Sequence, residues 1–254
     1  MFRNKISFLG VFFLVFAALV LLAGPVAAAS DDTKSDGLNT EDSYNDQEDE
    51  EPAYMIGDPI KPWNEMMFTF NDKLYFYLLK PAAQGYAYVV PQELRGYVYN
   101  FFNNLNAPVR IANSLLQGSP QKAGSELTAL IINSTVGLGG FGNPASDFPE
   151  LVKGDEDMGQ TFAVYGIGNG FYIIWPFFGP STLRDSFGMA GDFFLSPLTY
   201  VKDWKISAGL FGLKTINNVS LTIGDYEALK NAAFDPYIAF KDAYLQNRIK
   251  RIKE

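Results

Sequence analysis

Apolar residues recur at every third or fourth position over most of the chain beyond residue 57. The repeat runs from Trp63 to Leu78, from Ile206 to Ile223 and from Ile238 to Ile252. This is the period of one face of an α-helix, and the alternation of a half-buried β-strand is not sustained between residues 57 and 136. The pattern therefore predicts a mainly α fold built from amphipathic helices.

Prolines separate the helical stretches of the first half of this region. Proline suits the first turn of a helix and interrupts the interior. The residues concerned are Pro81, Pro91, Pro108 and Pro120. They predict separate helices over residues 58–79, 91–102, 106–118 and 120–135. We expect Ser119 to cap the last of these four, because a serine hydroxyl can accept a hydrogen bond from a free amide of the first turn.

The first predicted helix is apolar on nearly every side, not only on one face. Met66, Phe68, Tyr75, Phe76 and Leu79 fall outside the stripe that Trp63 begins. Such a helix is buried either in protein or in lipid. Charged residues within it argue against a simple transmembrane span, and its aromatic residues favour a helix that lies in the membrane interface.

Glycine is concentrated between residues 137 and 192, which hold 12 of the 23 glycines. A segment so rich in glycine does not form one long helix. Gly137, Gly139 and Gly142 satisfy the G-x-G-x-x-G pattern, but a predicted helix precedes them and Asn143-Pro144 follows. That order is wrong for a dinucleotide site, so these glycines are interpreted as a turn, a hairpin or a hinge.

The later part of the chain alternates short irregular pieces with helices. Residues 171–175 are either a buried strand or a membrane-touching segment. Ser181 is expected to cap a helix that runs towards Asp192, and Asp235-Pro236 to begin the last helix. That last helix ends in basic residues, which are either solvated and favourable to the helix dipole or attracted to anionic head groups or an acidic partner. They are Arg248, Lys250, Arg251 and Lys253.

Composition divides the chain into three parts. Residues 1–29 have two basic residues, an apolar run and Ala27-Ala28-Ala29, as in a cleaved signal peptide, with an uncleaved inner-membrane anchor as the alternative. Residues 30–56 form an acidic linker that holds ten Asp or Glu residues and one Lys, and is expected to be disordered. Residues 57–254 form the folded domain, which is nearly neutral and has no basic stripe for nucleic acid.

Few residues offer chemistry. The chain has no Cys and no His, which removes thiolate metal sites, Cys nucleophiles and His-based triads. The acidic run 155–157 is expected to be solvated, because three adjacent acids do not converge on one metal ion. Arg184 and Asp185 form either a structural ion pair or part of a polar route in which Arg184 faces a phosphate.

An ordered series of motifs resembles the VacJ/MlaA family. Within the glycine-rich region the motifs are Gly137-Leu138-Gly139-Gly140-Phe141, Gln160-Thr161-Phe162, Tyr165-Gly166-Ile167-Gly168-Asn169-Gly170-Phe171-Tyr172 and Pro176 through Asp185. Outside it they are Asp58-Pro59, Trp63-Asn64, Met67-Phe68, Phe70-Asn71, Val90-Pro91, Asn100-Phe101, Asn104-Leu105, Leu116-Gln117-Gly118, Asp235-Pro236-Tyr237 and Gln246-Asn247-Arg248. The resemblance covers roughly Asp58 to Arg248.

The family consists of Gram-negative outer-membrane proteins that maintain lipid asymmetry. The resemblance implies a ring-like arrangement of interfacial helices around a central polar channel. It implies removal of misplaced phospholipid from the outer leaflet, beside a trimeric porin, and delivery to a soluble periplasmic carrier, with no cofactor and no catalysis. The lipid pathway is predicted to involve Arg184, Asp185, Asp192 and Asn71. The gate or hairpin is predicted to comprise Gly137, Gly139, Gly140, Phe141 and Gly142.

In one respect the sequence departs from the family. Typical members are lipoproteins with a Cys after the signal, and this sequence has none. Attachment to the periplasmic face of the outer membrane is therefore expected to come from the folded domain or from a partner.

Two other classes of protein are the alternatives to a lipid transporter: a lipid hydrolase and a non-transporting scaffold. A hydrolase would need a Ser-Lys or Asp-based scheme, and no G-x-S-x-G is present.

Overall fold

Helices dominate the described part of the chain, as the apolar period predicts. The computed structural model describes residues 56–151 and 154–253. The predicted signal and the acidic linker up to residue 55 lie outside the described residues. The helices are α1 Lys61–Leu74, α2 Lys80–Val89, α3 Gln92–Leu105, α4 Ala107–Leu116, α5 Pro120–Thr135, α6 Met158–Val164, α7 Leu183–Leu195, α8 Trp204–Leu221, α9 Asp225–Ala232 and α10 Pro236–Lys253. The strands are β1 Tyr172–Trp175 and β2 Gly179–Thr182.

The prediction that Pro81 ends the first helix is wrong. A π-helical turn, Tyr75–Leu79, joins α1 directly to α2. Within it the Lys80 amide donates to the carbonyl oxygen of Tyr75, five residues back. The wider turn changes the hydrogen-bond register of the backbone just before Pro81. This proline therefore lies in the first turn of α2, where its missing N–H is not needed.

Two predicted caps differ in the structure. Ser119 precedes α5 at the N-cap position, but its side chain makes no capping hydrogen bond. Ser181 does not cap α7. The cap is Thr182, whose side chain accepts from the Asp185 amide, while the Ser181 hydroxyl lies within hydrogen-bond distance of Ser186. The cap lies one residue later because β2 continues through Thr182, which directly precedes the first helical residue, Leu183.

The strands form a two-stranded antiparallel hairpin in which Tyr172 faces Thr182 and Trp175 faces Gly179. This confirms the strand interpretation of residues 171–175, and all four residues of β1 are buried. The free edge of β1 is covered by α1. Asn64 donates to the carbonyl oxygen of Tyr172 at 2.9 Å and accepts from the Ile174 amide at 2.7 Å. A fully buried amide side chain thus takes the place of a third strand.

The helices pack in neighbouring pairs around this hairpin. Helix α4 lies against α5, α6 against α7, and α8 against both α2 and α3. Helix α10 crosses α6 and the hairpin, and Tyr172 and Tyr237 meet in a small buried cluster with Ile174. The pairing brings α4, α6, α7 and α10 close to one another. The ring-like arrangement and the central channel stay predictions.

The domain buries many polar side chains and exposes many apolar ones, which is the reverse of the usual arrangement in a water-soluble domain. Among the described residues, the buried side chains include more polar and charged residues than apolar ones. Many large apolar side chains are instead exposed: Tyr88 is 93% exposed, Tyr77 82% and Trp204 74%. Within residues 56–151 and 154–253 we find no helix that combines the length and the apolar character needed to cross a membrane. An exterior of this kind marks an interaction surface for lipid or protein.

Candidate functional site

A buried ion cluster joins α6, α7 and α10. Arg248 of α10 donates to both oxygens of Asp157, at 2.6 and 3.0 Å, and to both oxygens of Asp185, at 2.9 and 3.0 Å. Asp185 also accepts from Arg184, at 2.9 and 3.0 Å, and from the Tyr244 hydroxyl at 2.7 Å. Three elements that are distant in sequence are thereby fixed to one another by charge-assisted hydrogen bonds.

The electrostatics of this cluster are those of a satisfied ionic network. Burial acts to raise the pKa of Asp185, but the charge and hydrogen bonds of Arg248, with Tyr244 and Arg184, hold that pKa below its ordinary value. Burial opposes the charge of Arg248, yet Asp157 and Asp185 raise its pKa. Asp185 and Arg248 are therefore both charged at neutral pH.

Asp192 lies on the same helix as this cluster, two turns further along, in a different environment. Its carboxylate accepts from the side-chain amide of Asn113 at 2.8 Å and from the backbone amide of Met158 at 3.1 Å. Burial raises the pKa of Asp192 to about 6, and the charge of Asp157 adds to the rise, against the hydrogen bonds from Asn113 and Met158. A raised carboxyl pKa in a cleft is a common property of functional sites.

A cleft of about 380 Å³ opens beside Asp192. Its lining combines charged groups from α4, α7, α10 and the loop before α6 with apolar side chains. The charged residues are Arg110, Asp155, Glu156, Asp157, Asp192 and Arg251, and the apolar ones include Val109, Phe178, Met189 and Phe193. The cleft can hold a small polar group next to an apolar one.

A polar relay continues from Asp192 into the helices. Asn113, fully buried, donates to Asp192 and accepts from the Thr161 hydroxyl at 2.9 Å. Thr161 in turn accepts from Gln117 at 3.2 Å. The amide side chains of α4 therefore run alongside α6 and end at the cleft.

The prediction that residues 155–157 are solvated is wrong for two of the three. Glu156 is 5% exposed and pairs with Lys122 at 2.8 Å. Asp157 caps α6 through the Gln160 amide and binds Arg248. Only Asp155 is exposed, in a 2.6 Å pair with Arg251. The partly exposed Lys122 of α5 and the buried Arg248 of α10 pair with the other two acids. Among the described residues no group of acidic side chains has a metal-binding arrangement.

The treatment of Arg248 as part of a solvated basic end is likewise wrong. The side chain is 8% exposed. It lies on the buried face of α10, four residues after Tyr244 and three after Leu245, and that spacing was the signal available in the sequence. The residues that were missed by sequence reasoning are thus Arg248, Asp157, Glu156 and Asn113.

Asn71, a predicted pathway residue, lies apart from the cleft network. Its side chain donates to the carbonyl oxygen of Trp175 and accepts from the Phe177 amide, both at 2.9 Å. It therefore holds the tip of the hairpin. At that tip Phe177 has a positive φ of 69° and is 65% exposed, which is a strained conformation for a bulky residue.

The predicted gate is a compact turn at the C-terminal end of α5. The Gly139 amide donates to the carbonyl of Ser134, and the Gly140 amide to that of Asn133. Gly140 has φ of 94°, and an added Cβ would lie 2.5 Å from the Asn104 side chain. Phe141 stacks on Phe101, with ring centroids 4.8 Å apart. The turn borders a separate small cavity of about 180 Å³, beside Asn104 and Leu105.

The fold and the site together define a helical protein with a charged, hydrogen-bonded interior and an aromatic exterior. The family model that describes the MlaA lipoprotein matches residues 56–251. The chain belongs to that family.

Relatives of known name and structure agree. The intermembrane phospholipid transport system lipoprotein MlaA of Escherichia coli (strain K12) is 34% identical over 192 residues, which cover 74% of this chain and 76% of that one. The protein of the same name from Haemophilus influenzae is 32% identical over 193 residues, 75% of this chain and 77% of the relative. A solved structure from work on the structural basis for maintenance of bacterial outer membrane lipid asymmetry superposes with a TM-score of 0.69 at 30% identity, covering 77% of this chain and 99% of that chain.

Proposed function

We propose that this chain is the outer-membrane component of an intermembrane phospholipid transport system and removes misplaced phospholipid from the outer leaflet. The observation that carries the proposal is the inverted polarity of the domain, charged inside and aromatic outside. It is supported by membership of the MlaA lipoprotein family and by relatives named for phospholipid transport.

The cleft supplies a physical reason for transport. A phospholipid that leaves a leaflet must keep its charged head group hydrated or hydrogen-bonded, because an unpaired charge in hydrocarbon is costly. The cleft places Asp192 and its polar neighbours together with apolar side chains that include Phe178 and Phe193. Such a surface lowers the barrier for the head group without making or breaking a bond.

The residues take different parts in this proposal. Asp192 faces the head-group route, whereas Arg184 and Asp185 brace its wall through Arg248. The glycine turn at residues 137–142 acts as a gate, and Asn71 positions the hairpin tip.

If Arg184 only braces the wall, Arg184→Ala lowers melting temperature and lipid transfer in parallel. Loss of transfer at an unchanged melting temperature would instead place Arg184 on the route.

We propose that the aromatic exterior holds the domain in the outer membrane, since no Cys of this sequence can receive a lipid. The signal is removed so that the mature chain starts at Ala29 or Ser30, and intact mass of the purified protein checks this. The domain works beside a trimeric porin and passes lipid to a soluble periplasmic carrier. High salt should leave the protein in the membrane fraction, and complete release by salt would contradict anchoring by burial.

The transport proposal is tested by complementation. Cells that lack their own MlaA protein receive this chain, and phospholipid in the outer leaflet is measured beside the abundance of the protein. Restoration of a phospholipid-poor outer leaflet is the expected result. An unchanged leaflet despite folded, membrane-bound protein would favour the scaffold class, and release of fatty acid from phospholipid by the pure protein would favour the hydrolase class.

A further inference from the structure

Charges around the cleft are unevenly compensated. Five carboxylates of this region each have a basic partner: Glu126 pairs with Arg110, Asp155 with Arg251, Glu156 with Lys122, and both Asp157 and Asp185 with Arg248. Asp192 has no Lys or Arg partner among the described residues and is held by Asn113 and the Met158 amide alone. The cleft wall therefore contains one carboxylate without a directly paired cation, since the charge of Arg248 acts on it only from its place between Asp157 and Asp185.

Glu156 provides a second, independent observation on the same wall. It is 5% exposed and lines the cleft. Its Oε1 accepts from Lys122 at 2.8 Å, while its Oε2 has no hydrogen-bond donor among the described residues. A buried carboxylate oxygen without a donor is rare and unfavourable, because the desolvation of that oxygen is not offset. Solvent does not reach this oxygen in the present arrangement, so a donor from a bound molecule would offset the cost once the side chain turns that oxygen into the cleft.

The cations of the cleft are already occupied. Arg110 donates through Nε and Nη2 to Glu126 and through Nη1 to the backbone and side-chain oxygens of Asn103. Arg251, which is partly exposed, pairs with the exposed Asp155 at 2.6 Å. The buried guanidinium of this wall, that of Arg110, is thus fully used within the protein, and the lining residues hold four carboxylates against two guanidinium groups. The surface offers acceptors and a surplus negative charge, which suits a cationic donor and disfavours an anion.

We propose that the cleft selects phospholipids whose head group carries a primary ammonium, with the ammonium bound to Asp192 and Glu156. This inference rests on the proposed transport function and specifies its substrate class. A primary ammonium has three N–H donors and one positive charge, so it matches both the uncompensated carboxylate and the oxygen that lacks a donor. A head group that ends in hydroxyls brings no charge to neutralise Asp192, and a quaternary ammonium brings no N–H.

The selection is tested by binding, independently of transport. The purified full chain is mixed with equal amounts of phosphatidylethanolamine and phosphatidylglycerol of the same acyl chains, and the bound lipid is counted by native mass spectrometry. We expect a preference for phosphatidylethanolamine of about ten-fold, which corresponds to about 1.4 kcal/mol. N-acetylated phosphatidylethanolamine, which gains a small acetyl group and loses the positive charge of the amine, should bind no better than phosphatidylglycerol.

Variants connect the preference to the proposed groups. Asp192→Asn should reduce the preference to near unity, and Glu156→Gln should reduce it in part. Asp147→Asn is the matched control, because Asp147 is exposed and does not line the cleft. Equal binding of the two lipids by the unaltered chain overturns the inference, and so does a preference that survives both cleft substitutions.

Transfer between vesicles separates this inference from the proposed function. The vesicles contain the same two lipids in equal amounts. Transfer of both at equal rates overturns the head-group selection and leaves the transport function standing. Selective binding without any transfer supports the selection and contradicts the transport function.

Discussion

Replacement of Asp192 by asparagine is expected to stabilise the folded chain at neutral pH. The asparagine side chain has nearly the same shape, and its oxygen can still accept from Asn113 and from the Met158 amide. The substitution removes a negative charge that burial disfavours more than the hydrogen bonds of Asn113 and Met158 and the charge of Arg248 favour it. A site that keeps such a charge sacrifices stability for another purpose.

The magnitude follows from the pKa. That of Asp192 rises from 3.8 to about 6, and one unit corresponds to about 1.36 kcal/mol, so full ionisation costs up to about 3 kcal/mol. Partial exposure reduces this to about 1–2 kcal/mol. The carboxyl of Asp192 binds its proton more tightly in the folded chain than in the unfolded one. Its contribution to the free energy of unfolding is therefore greatest below about pH 4 and is lost as the pH rises through about 6.

The assay is thermal unfolding of the unaltered chain, Asp192→Asn and the control Asp147→Asn at pH 4.5, 6 and 7.5. The advantage of Asp192→Asn should grow with pH and reach a plateau above about pH 7, at about 2–4 °C for each kcal/mol in a domain of this size. A variant that melts below the unaltered chain at pH 7.5, or a difference that does not change with pH, would refute the reasoning. The carboxylate would then be stabilised by its hydrogen bonds.

Three further substitutions test other parts of the structure. Arg248→Met removes the cation that Asp157 and Asp185 share, and only Asp185 keeps another, Arg184. It should destabilise the domain by about 3–5 kcal/mol, measured by denaturant unfolding, and a change below about 1 kcal/mol would contradict the buried cluster. Gly140→Ala should destabilise more than Gly139→Ala, because both positions have positive φ but only the first Cβ meets Asn104; equal melting temperatures would contradict this packing. Asn71→Ala removes two hydrogen bonds to the hairpin and should cost about 1–3 kcal/mol, with faster amide exchange at the hairpin tip as the local readout.

Local sequence signals predicted the helices well. The apolar period located α8 and α10, and the prolines located the starts of α4 and α5. The π-helical turn before Pro81 was not predictable, because its stability depends on tertiary contacts such as the bond from Tyr75 to Glu227 and not on any residue preference nearby. Residue propensity and apolar spacing therefore predict which helices form, but they do not predict where one helix continues directly into the next.

The site was predicted only in part, for a related reason. Arg184, Asp185 and Asp192 lie on one helix, as predicted, but only Arg184 and Asp185 belong to the Arg248 cluster, and Asp192 is bonded separately to Asn113 and the Met158 amide. Their role in a lipid pathway stays a prediction. The central residue of that cluster, Arg248, comes from 63 positions beyond Asp185 and looked like one of several basic residues at a helix end. A long-range ion pair has no local signature, because each partner alone resembles a solvated charge. Burial distinguishes a paired charge from a solvated one, and the burial of Arg248 depends on how α10 packs.

The way in which α1 covers the free edge of β1 has a consequence for how the chain folds. The bond between Asn64 and Tyr172 joins residues 108 positions apart, and the bond between Asp58 and Tyr237 joins residues 179 positions apart. Loop entropy must be lost before such contacts form, so these bonds are expected late in folding. An isolated two-stranded hairpin is only marginally stable in water, and β1 and α1 should therefore become ordered in the same cooperative step. Amide protons of the two elements should then exchange together, although the whole segment from residue 75 to residue 171 separates them along the chain.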